Sequence, residues 1–430
     1  MPRNLDIRTQ DFEQNFADLL NDKRKNSPNV ISTVVDILDT VKRFGDEALI
    51  NFTKRFDHLD LTVSKLAINQ DEITAALETC SEETLTALYL SARRIEDFHI
   101  RQKPTDLQYT DITGVHLGYR WTPIETVGIY VPGGTASYPS SVLMTAIPAK
   151  IAGVDRLVMV VPSPNGKINP LVLAAARIAK IDEIYRVGGA QAIAALAYGT
   201  KTIRPVNKIV GPGNVFVAEA KRQVFGVVDI DMIAGPSEIL IVADKQNNPE
   251  WIAIDLLSQA EHDTSAQSIL ITDDSELASS VAIAVENYLA TLQRATIARE
   301  SWKHYGAIIL VNHLDMAPNL INRIAPEHLE LMVKDPDYLA NKVKNAGAIF
   351  LGRYTPEAIG DYVGGPSHVL PTANCSRFSS GLGVLDFMKR TSLLRCDINS
   401  IKHIGPAAIT LAKNEGLEAH GLSVALRINA

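Results

Sequence analysis

The sequence has few cysteines and no long apolar run, and these absences exclude several classes of protein. Cys80, Cys375 and Cys396 form no CxxC pair and no even set, which argues against a disulfide-stabilised secreted domain. No apolar stretch reaches the roughly 18 residues that a membrane-spanning helix needs, and the N-terminal sequence MPRNLDIRTQ lacks the apolar core of a secretory signal. We therefore expect a cytoplasmic protein without a membrane partner.

The chain also lacks an excess of positive charge. Lys and Arg number 42 against 49 Asp and Glu, so the formal net charge of −7 gives no electrostatic reason to expect binding to nucleic acid. Hydrophobic residues make up 46% of the 430 residues and charged residues 21%, which is the composition of a folded globular protein. A chain of this length is long enough for two or more domains, each with its own core.

Helical and strand-like patterns alternate along most of the chain. Residues 31–54 and 73–100 have apolar residues at helical spacing, and from VGIYVPGG (127–134) onward short apolar, β-branched runs alternate with helices. The alternation repeats from EILIVAD (238–244), which indicates parallel sheets with crossover helices. We predict an α/β protein with two Rossmann-like parallel-sheet domains, a helical N-terminal region and a small helical C-terminal segment. The predicted divisions are an N-terminal arm (1–26), a first domain with a helical insertion (27–243), a second domain (244–380) and a C-terminal segment (381–430).

Three predicted strand-to-helix turns are rich in glycine, and such turns can bring the backbone close to a phosphate. They are Gly133-Gly134, Gly188-Gly189 and Gly211-Pro212-Gly213. GPGNVF (211–216), with Asp231 about twenty residues later, partly matches the dinucleotide-binding fingerprint, but Phe216 stands at its third glycine position. Tight turns within an α/β sheet are the simpler explanation, so these turns alone leave the cofactor open.

Two local clusters combine residue types that can bind a metal or move a proton. In LLSQAEHD, Gln259 and His262 are three residues apart on a helix and share a face, although glutamine is an uncommon zinc ligand. In IAPEHLEL, Glu327 and His328 are adjacent and could act as base and acid, although neighbouring side chains usually point in different directions.

Two further clusters lie near the C-terminus. TPEAIGDYVGGPSHVLPT (355–372) has Asp361 and His368 on a segment rich in glycine and proline, which predicts a structured loop. In KNEGLEAHGLSV (413–424), Glu415 precedes a helix-ending Gly416, where an acid costs about a few tenths of a kcal/mol against the helix dipole. That cost hints at a partner for Glu415. Solvated polar residues at helix ends and turns remain the alternative for each cluster.

Taken together and in this order, these segments resemble histidinol dehydrogenases. The resemblance spans roughly residues 30–425, and its departures, Pro366-Ser367 and Asn374-Cys375, touch no residue to which it assigns a role. The segments that carry it are YVPGG, GGAQAIAALAYGT (188–200), KIVGPGN (208–214), GPSE (235–238), LLSQAEHD, APEHLEL, GDY, HVLPT, SGL (380–382), DFMKR and EGLEAH.

The resemblance implies oxidation of L-histidinol to L-histidine through L-histidinaldehyde with two NAD+, the last steps of histidine biosynthesis. It further implies a homodimer whose active sites are shared, so that the C-terminal segment contacts the neighbouring subunit and Glu415 and His420 act in the neighbour's site. One zinc ion per subunit would be held by Gln259, His262, Asp361 and His420, with Glu327 and His328 as the acid–base pair. Substrate contacts would come from Ser237, His368 and Glu415 together with Gln259, His262, His328, Asp361 and His420, and NAD contacts from Tyr130, Gln191 and Asn214.

The chemistry of this set is consistent with such a reaction. Asp361 is the single anionic ligand, so the zinc ion would keep a net positive charge and would mainly orient a substrate with nitrogen donors. His328 would accept the proton of the alcohol, and Glu327 would deprotonate the water that hydrates the aldehyde. A zinc hydrolase that uses the same two residues, a dehydrogenase for another small polar alcohol and a non-catalytic scaffold are the alternatives that we consider.

Overall fold

The computed structural model describes residues 2–21, 28–133 and 138–429, and Gly134 of the first glycine-rich turn lies outside them. The strands of the described residues are β1 (Arg3–Asp6), β2 (Leu107–Thr110), β3 (His116–Pro123), β4 (Thr126–Tyr130), β5 (Arg156–Val160), β6 (Glu183–Tyr185), β7 (Lys208–Val210), β8 (Asp229–Ile230), β9 (Glu238–Ala243), β10 (Gln267–Thr272), β11 (Ala307–Leu310), β12 (His328–Met332), β13 (Ala348–Leu351) and β14 (Met388–Arg395).

The α-helices of the described residues are α1 (Phe12–Asn21), α2 (Pro28–Phe44), α3 (Asp46–Phe56), α4 (Gln70–Glu78), α5 (Glu82–His99), α6 (Pro139–Ala152), α7 (Pro170–Ile178), α8 (Gly189–Tyr198), α9 (Val215–Val224), α10 (Pro249–Ala260), α11 (Ser275–Tyr288), α12 (Ala295–Tyr305), α13 (Ala317–Ile324), α14 (Pro336–Ala340), α15 (Glu357–Tyr362), α16 (Ile398–Asn414) and α17 (Glu418–Ile428). None of these helices is long and apolar enough to cross a membrane.

The first α/β unit is built on a parallel sheet whose described strands run in the order β6-β5-β4-β7-β8. Val127 and Ile129 belong to the core on one face, which α4 to α7 cover, and Val158 and Val160 belong to the core on the other, which α2, α3, α8 and α9 cover. Because both faces are buried, the strands are apolar without alternation, as a parallel sheet requires.

The second α/β unit is built on a sheet in the order β1-β11-β10-β9-β12-β13, in which every neighbouring pair is parallel. Leu240 and Leu329 pack with α1 and α13 on one face, and Ile239 and Met332 pack with α10, α11 and α12 on the other. These two parallel sheets, with helices at both ends of the chain, confirm the predicted fold class.

Two strands lie across the domain divisions that the sequence predicted. The first domain was predicted to extend to residue 243, but β9 pairs with β10 and β12, so the chain changes sheets before Glu238. β1, from the predicted N-terminal arm, pairs with β11 at the other end of the same sheet. Both differences have one cause: a short apolar run shows that a strand forms, but the strand's partner depends on distant residues.

The C-terminal segment contains a strand as well as helices. The sequence predicted a helical pattern from residue 381, but β14 pairs with β3 in an antiparallel sheet of order β14-β3-β2. A Cβ at Gly405 of α16 would lie 2.5 Å from Cδ1 of Ile428 of α17, so the two helices pack closely. None of the residues of α17 is buried, and Leu411, Leu422 and Leu426 are exposed. The segment therefore leaves apolar surface uncovered in the single chain.

Candidate active site

Glu327 and His328 lie at the amino end of β12, where both side chains reach the first residue of β9. Nδ1–H of His328 donates a hydrogen bond of 2.9 Å to the backbone carbonyl of Glu238, and the backbone N–H of Glu238 donates one of 2.9 Å to Oε2 of Glu327. Neighbouring side chains within a strand point in opposite directions, but Glu327 lies just before the first residue of β12, so this rule does not apply to the pair. Both side chains are therefore hydrogen-bonded to the backbone of Glu238, and Oε2 of Glu327 lies 3.7 Å from Nδ1 of His328.

The imidazole of His328 is buried and neutral. Burial lowers its pKa to about 4, although the charge of Asp361 and the hydrogen bond to Glu238 act in the opposite direction. Because Nδ1 carries the proton that Glu238 accepts, Nε2 carries the lone pair, and Nε2 has no hydrogen-bond partner among the described residues. Nε2 of His328 therefore offers a lone pair to a proton near neutral pH, although the lowered pKa makes this imidazole a weaker base than a free histidine.

Gln259 lies in the last turn of α10, and His262 lies in the turn that follows the end of this helix. Nε2 of Gln259 is 3.4 Å from Nδ1 of His262. Gln259 is fully buried, yet its Oε1 has no hydrogen-bond partner in the part of the chain that the structure describes. Burial lowers the pKa of His262, while the nearby charge of Asp361 raises it. A buried carbonyl oxygen without a donor, next to a neutral imidazole, is an arrangement that suits a cation.

Asp361 lies in α15, and α5 fixes the loop that follows it. Ser91 Oγ donates a hydrogen bond of 2.5 Å to the carbonyl of Tyr362. The guanidinium group of Arg94 donates to the next two carbonyls along the chain, at 2.5 and 3.1 Å. The sequence predicted a loop over residues 355–372, but Glu357–Tyr362 form the short helix α15, and the loop begins after it. Hydrogen bonds from α5 of the first α/β unit hold the end of this helix and the start of the loop, so Asp361 has a defined position.

These elements bring potential metal ligands together. Ligand atoms of His328, Glu357 and Asp361 all lie within 4.8 Å of one another. His262 and His368 interact electrostatically with His328, and Nε2 of His368 is also buried without a partner among the described residues. Imidazole nitrogens and carboxylate oxygens are the ligands that zinc takes in proteins, so the residues present fit a zinc ion.

Glu357 is a site residue that the sequence analysis missed. It is 2% exposed, its Oε1 lies 3.7 Å from Nε2 of His328, and its Oε2 accepts a hydrogen bond of 3.4 Å from Ser258 of α10. Burial, followed by the charge of Asp361, raises its pKa well above the ordinary value. The signal in the sequence was its spacing: Glu357 precedes Asp361 by four residues, which puts both on one face of a helix.

The residues predicted to contact the substrate fall into two groups in the structure: those near the Glu327–His328 pair and those in the exposed C-terminal segment. Ser237 immediately precedes Glu238, which binds Glu327 and His328, and His368 interacts electrostatically with His328, so both lie near this pair. Glu415 follows the last residue of α16 and His420 lies in the first turn of α17, and both are exposed. The cluster of ligand atoms found among the described residues contains Asp361 but neither His262 nor His420. One chain therefore assembles most of the predicted site, but not its C-terminal members.

Tyr130, Gln191 and Asn214 lie near the carboxyl ends of the first sheet, the edge at which parallel sheets bind ligands. The hydroxyl of Tyr130, at the end of β4, accepts the N–H of Gly189 at 3.1 Å, and burial raises the pKa of Tyr130 to about 12. Gln191 is buried in the first turn of α8, and its Oε1 has no partner among the described residues. Oδ1 of Asn214 caps α9 by accepting two backbone N–H groups, so a contact to a ligand would come from its Nδ2.

Asp231, at the acidic position of the partial fingerprint, has a partner other than a ribose. Its carboxylate is buried in an ion pair with Lys221 and accepts the N–H of Gly211 at 2.7 Å. Nζ of Lys221 donates to the carbonyl of Gly211 at 2.9 Å. The pair therefore holds both backbone groups of Gly211, where φ is 109° and a Cβ would lie 2.2 Å from the carbonyl oxygen of Tyr130. Close packing therefore requires glycine at residue 211, and the residues of the partial dinucleotide-binding fingerprint form a tight turn in this chain.

The carboxyl edge of the first sheet lies next to the amino ends of β9 and β12 in the second sheet. Tyr138, at the start of α6, interacts electrostatically with Asp361. Ser367 Oγ donates a hydrogen bond of 3.2 Å to the carbonyl of Met144 in the same helix. Because α6 follows β4, its start lies at the carboxyl edge of the first sheet. The Tyr130 side of the molecule therefore adjoins the polar cluster at the amino ends of β9 and β12.

Comparisons with known proteins agree on one family. The sequence profile of the histidinol dehydrogenases matches residues 20–428. The histidinol dehydrogenase of Rhodospirillum rubrum is 61% identical and aligns with 100% of this chain and 99% of its own length; that of Brucella suis is 61% identical and aligns with 97% of each. The crystal structure of histidinol dehydrogenase from Elizabethkingia anophelis matches with a TM-score of 0.95 at 36% identity, covering 100% of this chain and 98% of that one.

Proposed function

The chain belongs to the histidinol dehydrogenase family, and from this premise we propose that it oxidises L-histidinol to L-histidine through L-histidinaldehyde, using two NAD+ for each substrate molecule. One observation carries the proposal: Gln259 and His262 lie near Asp361, which is far from them in sequence, beside the Glu327–His328 pair. A cytoplasmic location remains a prediction.

We propose that Gln259, His262 and Asp361 hold one zinc ion per subunit, with His420 of the partner subunit as the fourth ligand. The unpartnered buried Oε1 of Gln259 and the neutral imidazole of His262 support this assignment, since both offer lone pairs to a cation. Zinc, when bound, supplies a positive charge that accepts nitrogen donors and orients a substrate with an imidazole and an amine.

In the first oxidation, His328 accepts the hydroxyl proton of L-histidinol at Nε2 while the carbon-bound hydrogen leaves as hydride to the nicotinamide ring of NAD+. Because burial lowers the pKa of His328 to about 4, the imidazole is neutral at pH 7 and the lone pair on Nε2 is available for this proton. The hydrogen bond from Nδ1 to Glu238 keeps the tautomer fixed. Tyr130, Gln191 and Asn214 are proposed to bind NAD at the adjoining edge.

In the second oxidation, Glu327 takes a proton from the water that adds to the aldehyde carbon. The anionic hydrate then loses a second hydride to a second NAD+ and its remaining hydroxyl proton to His328, which has returned its first proton to solvent, and this leaves the carboxylate of L-histidine. The N–H of Glu238 orients the Glu327 carboxylate for this step. Ser237 and His368 are proposed to contact the substrate from this chain, together with Glu415 of the partner subunit.

We infer that the active protein is a homodimer with shared sites. The exposed leucines of α16 and α17 support this, because a large apolar surface that the chain leaves uncovered normally meets a partner. Mixed dimers that carry His420→Ala on one chain and Glu327→Ala on the other provide the test. If sites are shared, about one site in two regains full composition and activity, whereas complete inactivity of the hybrid would contradict sharing.

The overall proposal is tested by following NADH absorbance after L-histidinol and NAD are added, before and after zinc is removed by a chelator. Two NADH per L-histidinol, loss of turnover on chelation and recovery on adding zinc are expected. A zinc hydrolase would release no NADH, and a dehydrogenase for another alcohol would turn over that alcohol faster than L-histidinol. Either result would contradict the proposed function.

A further inference from the structure

Glu330 is an acid in the middle of a buried strand. It lies on β12, between β9 and β13, is 1% exposed, and is followed and preceded by leucine. Besides burial, the groups that act on it are the carboxyl group of Asp255 and the backbone N–H of Glu357. Burying one acid beside another opposes folding. A role other than general stability is therefore the better explanation for this residue.

Glu330 shares a face of β12 with His328, because alternate residues of a strand point the same way. Leu329 and Leu331 belong to the core on the opposite face, whereas Met332 belongs to the core that α10 covers. Glu330 is thus directed toward the helix whose end carries two of the proposed zinc ligands.

From this face, Glu330 holds the start of α15. Its Oε1 accepts the backbone N–H of Glu357, the first residue of the helix, at 2.6 Å. The residue at the helix's own N-cap position is Pro356, which provides no side-chain cap. Helices begin with N–H groups that lack partners within the helix, so Glu330 supplies a cap from another element. Asp361 lies one turn later on the same face of α15 as Glu357.

The side chain of Glu357 extends the connection to α10. Its Oε2 lies 3.4 Å from Oγ of Ser258, the residue before Gln259, whose shorter hydrogen bond of 2.8 Å goes to the carbonyl of Asp255. Its Oε1 lies 3.7 Å from Nε2 of His328. Contacts from Glu330 through Glu357 to Ser258 therefore join β12, α15 and α10. These are the elements that carry the proposed base and the three zinc ligands of this chain.

We propose that Glu330 is a positioning residue for the zinc site: by holding α15 on β12, it sets Asp361 in place relative to Gln259 and His262. The inference rests on the zinc site of the proposed function. Glu330 touches neither zinc nor substrate; it acts through the position of Asp361. The property that matters is the oxygen that accepts the N–H of Glu357.

Two substitutions separate this role from a general effect of the mutation. Glu330→Gln keeps an acceptor oxygen at the same reach, whereas Glu330→Met keeps the length of the side chain but removes that oxygen. Glu219→Met is the matched control, because Glu219 is equally buried at 1% exposed but lies on α9, where Arg222 and Gln223 donate to it. Zinc affinity of the full-length protein is measured by competition with a chromophoric chelator, and KM and kcat for L-histidinol are measured on the zinc-loaded protein.

Glu330→Met is expected to weaken zinc affinity by about 10-fold to 100-fold, the usual effect of removing a group that orients a ligand, while Glu330→Gln and Glu219→Met stay within about threefold of the parent. Unchanged zinc affinity in Glu330→Met, or an equal loss in Glu330→Gln or Glu219→Met, would overturn the inference.

If Glu330→Met does not fold, Glu330→Gln decides, and a loss of about tenfold in its zinc affinity would overturn the inference. A parent that binds no zinc would overturn the proposed zinc site and this inference with it. If the parent binds zinc and Glu330→Met binds it equally tightly, the inference about Glu330 is overturned but the proposed zinc site is not.

Discussion

Protonation of His328 is expected to destabilise the metal-free protein as the pH falls from 7 to 5. Its pKa is about 4 in the folded protein, against an ordinary value of 6.5, so the unfolded chain takes up this proton first. The stability that the neutral imidazole contributes is therefore present above pH 6.5 and is lost as the pH falls toward 4. At pH 5 the loss is about 2 kcal/mol, because each pH unit between the two pKa values is worth about 1.36 kcal/mol.

The assay is urea unfolding of the parent and of His328→Gln at pH 7 and pH 5, with chelator present. Glutamine can still donate to the Glu238 carbonyl but does not titrate, so the variant should lose about 2 kcal/mol less than the parent over this range. Burial raises the pKa of Asp255 to about 7, but this group is present in both proteins and its contribution cancels in the comparison. His313→Gln, at an exposed histidine, should behave like the parent. Equal losses in the parent and His328→Gln would refute the reasoning.

Three further outcomes follow from the structure. Gly211→Ala should lower stability by about 3 kcal/mol or more, and Gly226→Ala, which has a similar φ but no atom within 4 Å of its Cβ, by about 1–2 kcal/mol; equal shifts in urea midpoint would contradict the packing argument. Lys221→Met leaves the Asp231 carboxylate buried and unpaired and should cost about 3–5 kcal/mol, part of which Asp231→Leu should restore in the double variant by the same measurement. Glu327→Gln should lower aldehyde oxidation by about 100-fold to 10,000-fold and aldehyde reduction by NADH much less, and equal losses of the two rates would contradict its assignment to the hydration step.

Patterns within the sequence were sufficient for the fold class. The runs VGIYV (127–131) and ILIVA (239–243) contain no charged residue, which predicts strands buried on both faces, and the structure places them in parallel sheets covered by helices on each side. The same local reasoning failed for β14, because MKRTSLLR is mostly exposed and has no buried face that would produce a period of two. Its strand conformation depends on pairing with β3.

The candidate site likewise has features that local sequence patterns predict and features that depend on tertiary contacts. Residue types and spacing picked out Gln259 and His262 on one helix face and the adjacent Glu327 and His328, all within short segments. No local pattern could show that Glu327 and His328 would both bind Glu238, or that the buried Asp231 would pair with Lys221 and so be unavailable to a ribose.

Local sequence patterns located the buried strands and most helices and showed which residue types can bind a metal or move a proton, because side-chain periodicity and chemistry are properties of neighbouring residues. Contacts in the folded chain were needed to show that β9 belongs to the second sheet, that Glu330 binds the backbone of Glu357 in the helix of Asp361, and that His328 is neutral. Strand partners, burial and the pKa values that follow from burial arise from contacts between residues far apart in the chain, and no local segment encodes them.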